Sequence, residues 1–140
     1  ANSFAKITGK LWVSNFSDCL QQFDSAAKFF PIFSYLLGFV PLHLKYLDTR
    51  FYLSTKDFYQ EYLNRPHLFV GLRSNFGLEE SFAEIIENNA KTRCFFRTPP
   101  RINGVGGGTG SYVKDSQRKF IKNKLRLFFG KNMPYYKSYF

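Results

Sequence analysis

Leu42-His-Leu-Lys-Tyr-Leu-Asp-Thr-Arg-Phe-Tyr-Leu53 alternates at its start and hands over to a different pattern at its end. Leu42, Leu44 and Tyr46 fall on one side of an extended chain, with His43 and Lys45 on the other, which is the period-two signature of a half-buried strand. Ser54-Thr-Lys-Asp57 follows and predicts a helix start. The Ser54 hydroxyl can accept a free backbone N–H, and the Asp57 carboxylate meets the positive end of the helix dipole. Phe58, Tyr59, Tyr62 and Leu63 then recur at helical spacing until Pro66 stops them.

Upstream, Phe4–Val13 reads as two short extended pieces around Thr8-Gly9, a hairpin pattern in which Gly supplies a positive φ. Leu20, Phe23, Ala27 and Phe30 are spaced by three and four, predicting a helix capped by Ser17 or Asp18 and ended by Pro31. Residues 29–41, FFPIFSYLLGFVP, are the most apolar part of the chain, and burial against the core is their default expectation. No apolar run approaches the roughly 18 residues that a membrane-spanning helix needs.

Downstream, Leu68–Arg73 predicts a buried strand. Leu78, Phe82, Ile85 and Ile86 line one side of a helix whose start is rich in glutamate, as the dipole favours. Thr92–Arg97 is extended again. The order of strands and helices gives an α+β class: a small mixed-sheet and helix domain with a Gly/Pro-rich crossing and a basic C-terminal amphipathic helix. The expected organisation is a compact body over residues 1–97, a Gly/Pro-rich linker or loop over 98–113 in which no strand or helix persists, and a basic helix with an aromatic extension over 114–140. Within that last part, Ile121, Leu125, Phe128 and Phe129 form the apolar stripe expected to pack on protein, and Gly130 is the expected C-cap.

The 140 residues carry 20 basic and 10 acidic side chains, a net charge of +10. Residues 1–90 hold eight basic and nine acidic groups, whereas 91–140 hold twelve basic groups and one acid, Asp115. The last third therefore supplies the whole positive balance, which points to a polyanion or an anionic surface as partner. Phe, Tyr, Ile, Asn and Lys make up 54 of the residues, a coding bias that leans toward a mitochondrial origin.

Gly106-Gly-Gly-Thr-Gly-Ser111 resembles the phosphate loop of tubulin-like GTPases over six residues. Tyr112 stands where that signature has its last glycine, and no Gly-Lys-Ser/Thr follows, so a structural or backbone-binding loop is the expectation. Cys19, His43, His67 and Cys94 are too evenly spread along the chain for a usual structural zinc site, and no metal or other cofactor is expected. Neither histidine has a local acid or base partner, and Glu79, Glu80, Glu84 and Glu87 read as a solvated helix face; no enzymatic activity is expected.

These features predict a noncatalytic, structural RNA-binding component of a ribosome-like ribonucleoprotein, with RNA, ribosomal in kind, and neighbouring protein subunits as partners. Arg93, Arg97, Arg101, Lys114, Arg118, Lys119, Lys122, Lys124 and Arg126 are the expected phosphate-binding residues. Tyr112, Tyr135, Tyr136 and Tyr139 are candidates for base stacking or for docking on protein. The alternative, suggested by residues 29–41 and the terminal YYKSYF, is an accessory subunit of a multiprotein, membrane-associated assembly, in which the apolar segment docks on partners and the basic helix lies on protein carboxylates or on an anionic membrane.

Overall fold

The computed structural model describes residues 2–36, 40–64, 77–90, 93–106 and 110–140. The expected strand at 68–73, His67, and the centre of the glycine run at 107–109 lie outside them. Among the described residues the elements run β1 (Ser3–Ile7), β2 (Lys10–Val13), α1 (Phe16–Gln21), β3 (Ala27–Leu36), β4 (Val40–Thr55), α2 (Lys56–Phe58, continued by a π-helical turn to Leu63), α3 (Leu78–Ile85, continued likewise to Ala90), β5 (Ile102–Val105), β6 (Tyr112–Val113) and α4 (Gln117–Asn132), with a closing 3₁₀ turn at Lys137–Tyr139. The domain is α+β.

β4 organises the first sheet. It pairs antiparallel with β1 on one side and with β3 on the other, giving the order β1-β4-β3. The second antiparallel sheet has the order β2-β5-β6. The expected hairpin across Thr8-Gly9 is therefore corrected: Gly9 takes φ +66°, but the turn sends β1 and β2 into different sheets. The reason is competition from β4, which pairs with β1 all the way from Ser3 opposite Thr55 to Ile7 opposite Phe51.

The expected helix through Phe30 is also corrected. It stops at Gln21, and Ala27–Phe30 belongs to β3. Lys28 and Phe29 are fully buried and Phe30 nearly so. A strand covered on both faces has no polar alternation to display, so its apolar spacing can imitate a helix. Pro31 does not end this segment but sits within β3, an edge strand of its sheet, where a missing N–H is tolerated. The helix cap moves by one residue: Thr55, not Ser54, accepts the Phe58 N–H, at 3.3 Å.

Between β3 and the end of the chain lies the segment Cys94-Phe95-Phe96, which is buried in the core. Phe29 donates its N–H to Cys94 at 2.8 Å and accepts from Phe96 at 2.9 Å, while Phe95 donates to Tyr139 at 2.8 Å. Phe29, Phe95 and Phe96 are inaccessible to solvent. The Phe95 ring stacks on Tyr139 at 5.2 Å and meets Phe140 edge-on at 5.4 Å. Such aromatic pairs contribute about 1 kcal/mol each beyond the apolar area they bury.

The Gly/Pro-rich stretch is not devoid of strand, contrary to expectation. Pro99 and Pro100 are buried, and β5 begins two residues later. Gly104, in β5, adopts φ +123°, and a Cβ there would lie 2.2 Å from the Lys10 carbonyl oxygen. Glycine is what allows β2 and β5 to approach at that point.

Candidate nucleic-acid interface

α4 is the basic helix, and its first turn is fixed by Ser116, whose hydroxyl accepts the Lys119 N–H at 3.2 Å. Its attachment reverses the expected orientation. Leu127 and Gly130 are buried, whereas Ile121, Leu125, Phe128 and Phe129 are exposed, Phe128 to 61%. Gly130 is not a C-cap: the helix runs through it to Asn132. A Cβ on Gly130 would come within 3.2 Å of the Phe33 ring and 3.4 Å of the Phe140 ring, so its bareness lets the helix seat on the core. The expected inward stripe consequently faces out. On a helical projection Arg118 falls within it, between Leu125 and Phe129, while Lys122 flanks it on one side and Lys124 and Lys131 on the other.

Arg118, Lys119, Lys122 and Lys124 are all exposed, as is Lys114 just before the helix. α4 contains six basic residues and no acid. None of the six forms an ion pair with a carboxylate among the described residues. Lys124 lies over the Phe120 ring at 5.8 Å. Arg126 is half-buried, its guanidinium 4.4 Å above the Tyr35 ring, with an Nε atom that has no hydrogen-bond partner among the described residues. Arg126 thus braces the helix on the body, and its planar group is already stacked.

The three upstream arginines are differently engaged. Arg101 Nε donates to Asp115 at 2.5 Å and its guanidinium sits 4.8 Å over Phe120, tying the start of α4 to the strand region. Arg97 reaches Asp24 at 3.0 Å, and Arg93 lies 3.9 Å from the same carboxylate. Asp24 also receives the ammonium of Lys28 at 2.8 Å. Burial alone would raise the Asp24 pKa, but the hydrogen bond and charge of Lys28, with Arg97 and Arg93, hold it below the ordinary value. Three cations on one carboxylate leave a local positive excess, although Arg93 and Arg97 are not the free phosphate ligands that their place in the chain suggested.

The aromatic candidates divide into two pairs. Tyr136 and Tyr139 are 3% and 6% exposed and belong to the core, where no base could reach their faces. Tyr112 and Tyr135 are 63% and 65% exposed. Trp12, which the sequence did not single out, is 51% exposed on β2.

The other candidate chemistry is sparse. Cys19 and Cys94 are buried free thiols whose pKa values burial pushes up to about 12. No group of three or more metal-ligating side chains converges among the described residues. His43 pairs across β3–β4 with the Ser34 hydroxyl at 2.8 Å, and no carboxylate among the described residues hydrogen-bonds to that histidine. Glu79 departs from the solvated-face reading: it is partly buried, takes a 3.4 Å hydrogen bond from Thr49, and is pushed above the usual carboxylate range by burial and by Asp48. Gly106–Ser111 joins two antiparallel strands, with Gly106 N–H bonded to Ser111 at 2.9 Å, whereas a phosphate loop joins a strand to a helix.

The chain matches no family model, and comparison with curated proteins and with solved structures finds no match.

Proposed function

We propose that the protein is a noncatalytic, structural RNA-binding component of a ribosome-like ribonucleoprotein. The observation that carries this reading is α4, a surface helix of sixteen residues with six cations, no acid, and no carboxylate partner for those cations among the described residues. Surface lysines and arginines of this kind neutralise phosphates and release counterions, giving affinity without sequence readout. Lys114, Arg118, Lys119, Lys122 and Lys124 are the principal phosphate ligands in this reading. The coding bias toward Phe, Tyr, Ile, Asn and Lys supports a mitochondrial assembly.

The outward stripe of Ile121, Leu125, Phe128 and Phe129 favours a second reading, an accessory subunit of a multiprotein assembly that docks α4 on a protein neighbour or an anionic membrane. No helix among the described residues is long and apolar enough to cross a membrane. One experiment separates the readings: RNA affinity measured against salt for the wild-type chain and for a variant with Arg118, Lys122 and Lys124 changed to Gln. The RNA reading expects a steep linear loss of log affinity with log salt, and a slope smaller by about one for each phosphate contact removed. Affinity that ignores both salt and substitution, together with a native complex that survives RNase intact, would overturn it.

A further inference from the structure

The second sheet has two unlike faces. Its register sets Lys10 opposite Val105, Trp12 opposite Asn103, and Val105 opposite Tyr112. Since side chains alternate along a strand, Leu11, Val13, Ile102, Gly104 and Val113 share one face, and Lys10, Trp12, Asn103, Val105 and Tyr112 share the other. The first face is the core side, with Leu11, Ile102 and Gly104 buried. The second is open: Lys10, Trp12, Val105 and Tyr112 are all exposed.

We propose that this open face is a stacking platform for unpaired RNA bases, with Trp12 and Tyr112 supplying the two ring surfaces. The inference rests on the RNA reading above and specifies which part of an RNA this face would bind. Charge complementarity selects the occupant. Lys10 lies within the face, Lys114 follows Tyr112 by two residues and is exposed, and no acidic side chain occupies any of these positions. An aromatic surface bordered by lysines suits a chain that alternates flat bases with phosphates, because every base has a π-face and every linkage a charge.

The face also connects directly to the basic helix. The Asn103 side-chain oxygen accepts the Asp115 N–H at 3.0 Å, and its amide donates to the Arg101 carbonyl at 3.2 Å. The residue that sits opposite Trp12 therefore also fixes the approach to α4. A backbone leaving Tyr112 past Lys114 meets Arg118 and then Lys122, one helical turn on. Asn103 is anchored at both its amide oxygen and its amide nitrogen, and recognition on this face comes from the ring surfaces, which are tolerant of sequence. Trp12 and Tyr112 lie on the outer two strands and are diagonally offset, about 12 Å apart by strand spacing and rise. That separation suits two non-adjacent bases of one extended strand.

Trp12 is the only tryptophan in the chain, so tryptophan emission, excited selectively over tyrosine, reports on this face. The experiment titrates the full chain with oligouridylate, oligoadenylate and an RNA duplex, following tryptophan emission and, in parallel, filter retention. Both single strands are expected to quench the emission with the midpoint seen on filters, and the duplex is expected to leave it unchanged. Trp12→Leu and Tyr112→Leu are each expected to weaken single-strand retention about tenfold without altering its salt slope. The Tyr112 variant retains the fluorescent reporter and provides the same test should Trp12→Leu fold poorly. Salt-dependent retention with unmoved emission, and with both variants at wild-type affinity, would sink the platform and leave the RNA reading standing. Failure to retain any RNA would sink both. Quenching by phosphatidylglycerol vesicles but not by oligonucleotides would overturn the proposal in favour of a lipid surface.

Discussion

The hydroxyl of Tyr136 accepts the backbone N–H of Leu44 at 2.7 Å, joining the turn after α4 to the central strand of the first sheet. Tyr136→Phe keeps the ring, which packs on Phe33 at 4.9 Å, but leaves a buried N–H without its partner. A loss of about 1–2 kcal/mol is expected, read as a lower urea midpoint at unchanged m-value.

Asp24 and Lys28 make a sharper test, because the Lys28 side chain is wholly buried while Asp24 stands at the edge of solvent. Asp24→Asn removes the carboxylate that neutralises that ammonium, leaving it the Phe95 carbonyl at 3.5 Å, and is expected to cost about 2–4 kcal/mol. The folded-state pKa of Asp24 is depressed, so the stabilisation it gives is complete above its unfolded value, about 4, and is lost as pH falls through the lower folded value. Wild-type stability should fall on acidification through this window, and Asp24→Asn should flatten that part of the profile.

Gly104 and Gly110 both take positive φ, yet substitution should affect them differently. At Gly104 a methyl group would collide with the Lys10 carbonyl, whereas nothing among the described residues lies within 4 Å of a Cβ on Gly110. Gly104→Ala is expected to cost more than about 2 kcal/mol and to disturb the β2–β5 pairing, visible as faster amide exchange there. Gly110→Ala should cost about 1 kcal/mol, the backbone cost alone.

The seating of α4 can be checked by two substitutions of opposite expectation. Leu127→Ala empties a buried site and should cost about 2–4 kcal/mol. Ile121→Ser alters a side chain 56% exposed and should change stability by no more than about 0.5 kcal/mol. If the expected inward stripe were the true contact, the two results would be exchanged.

Cys19 and Cys94 should resist thiol reagents in the native protein. Both are buried, and at thiol pKa values of about 12 almost no thiolate exists near neutral pH. Labelling by an aromatic disulfide should proceed only at the rate of unfolding and become rapid in denaturant.

How far these features were legible in the chain depended on whether polarity marked the buried side. β4 could be recognised because His43 and Lys45 alternate with buried or apolar neighbours, and α3 because its glutamates cluster near its start. β3 could not, since Lys28, Phe29 and Phe30 are all buried and no alternation survives. The helical spacing of Ile121, Leu125 and Phe128 was real, but hydropathy misassigned its direction. What seats α4 is the bareness of Gly130, the fit of Leu127 and the stacking of Arg126 on Tyr35, which are matters of shape that depend on residues far away in sequence. Likewise, Trp12 gains a role only beside Val105 and Tyr112, and that neighbourhood exists once β2 and β6 flank β5.

α4 is fastened near both of its ends, by Arg101 against Asp115 and Phe120 at the start and by Tyr136, Tyr139 and Phe140 in the core beyond its end. Its charges are therefore set at fixed intervals before any partner arrives. A binding partner gains these contacts without first having to freeze a flexible arm, so little ordering entropy opposes association. A rigid row of cations also favours partners whose own charges match its spacing and curvature, so discrimination can arise from the contour of the ligand.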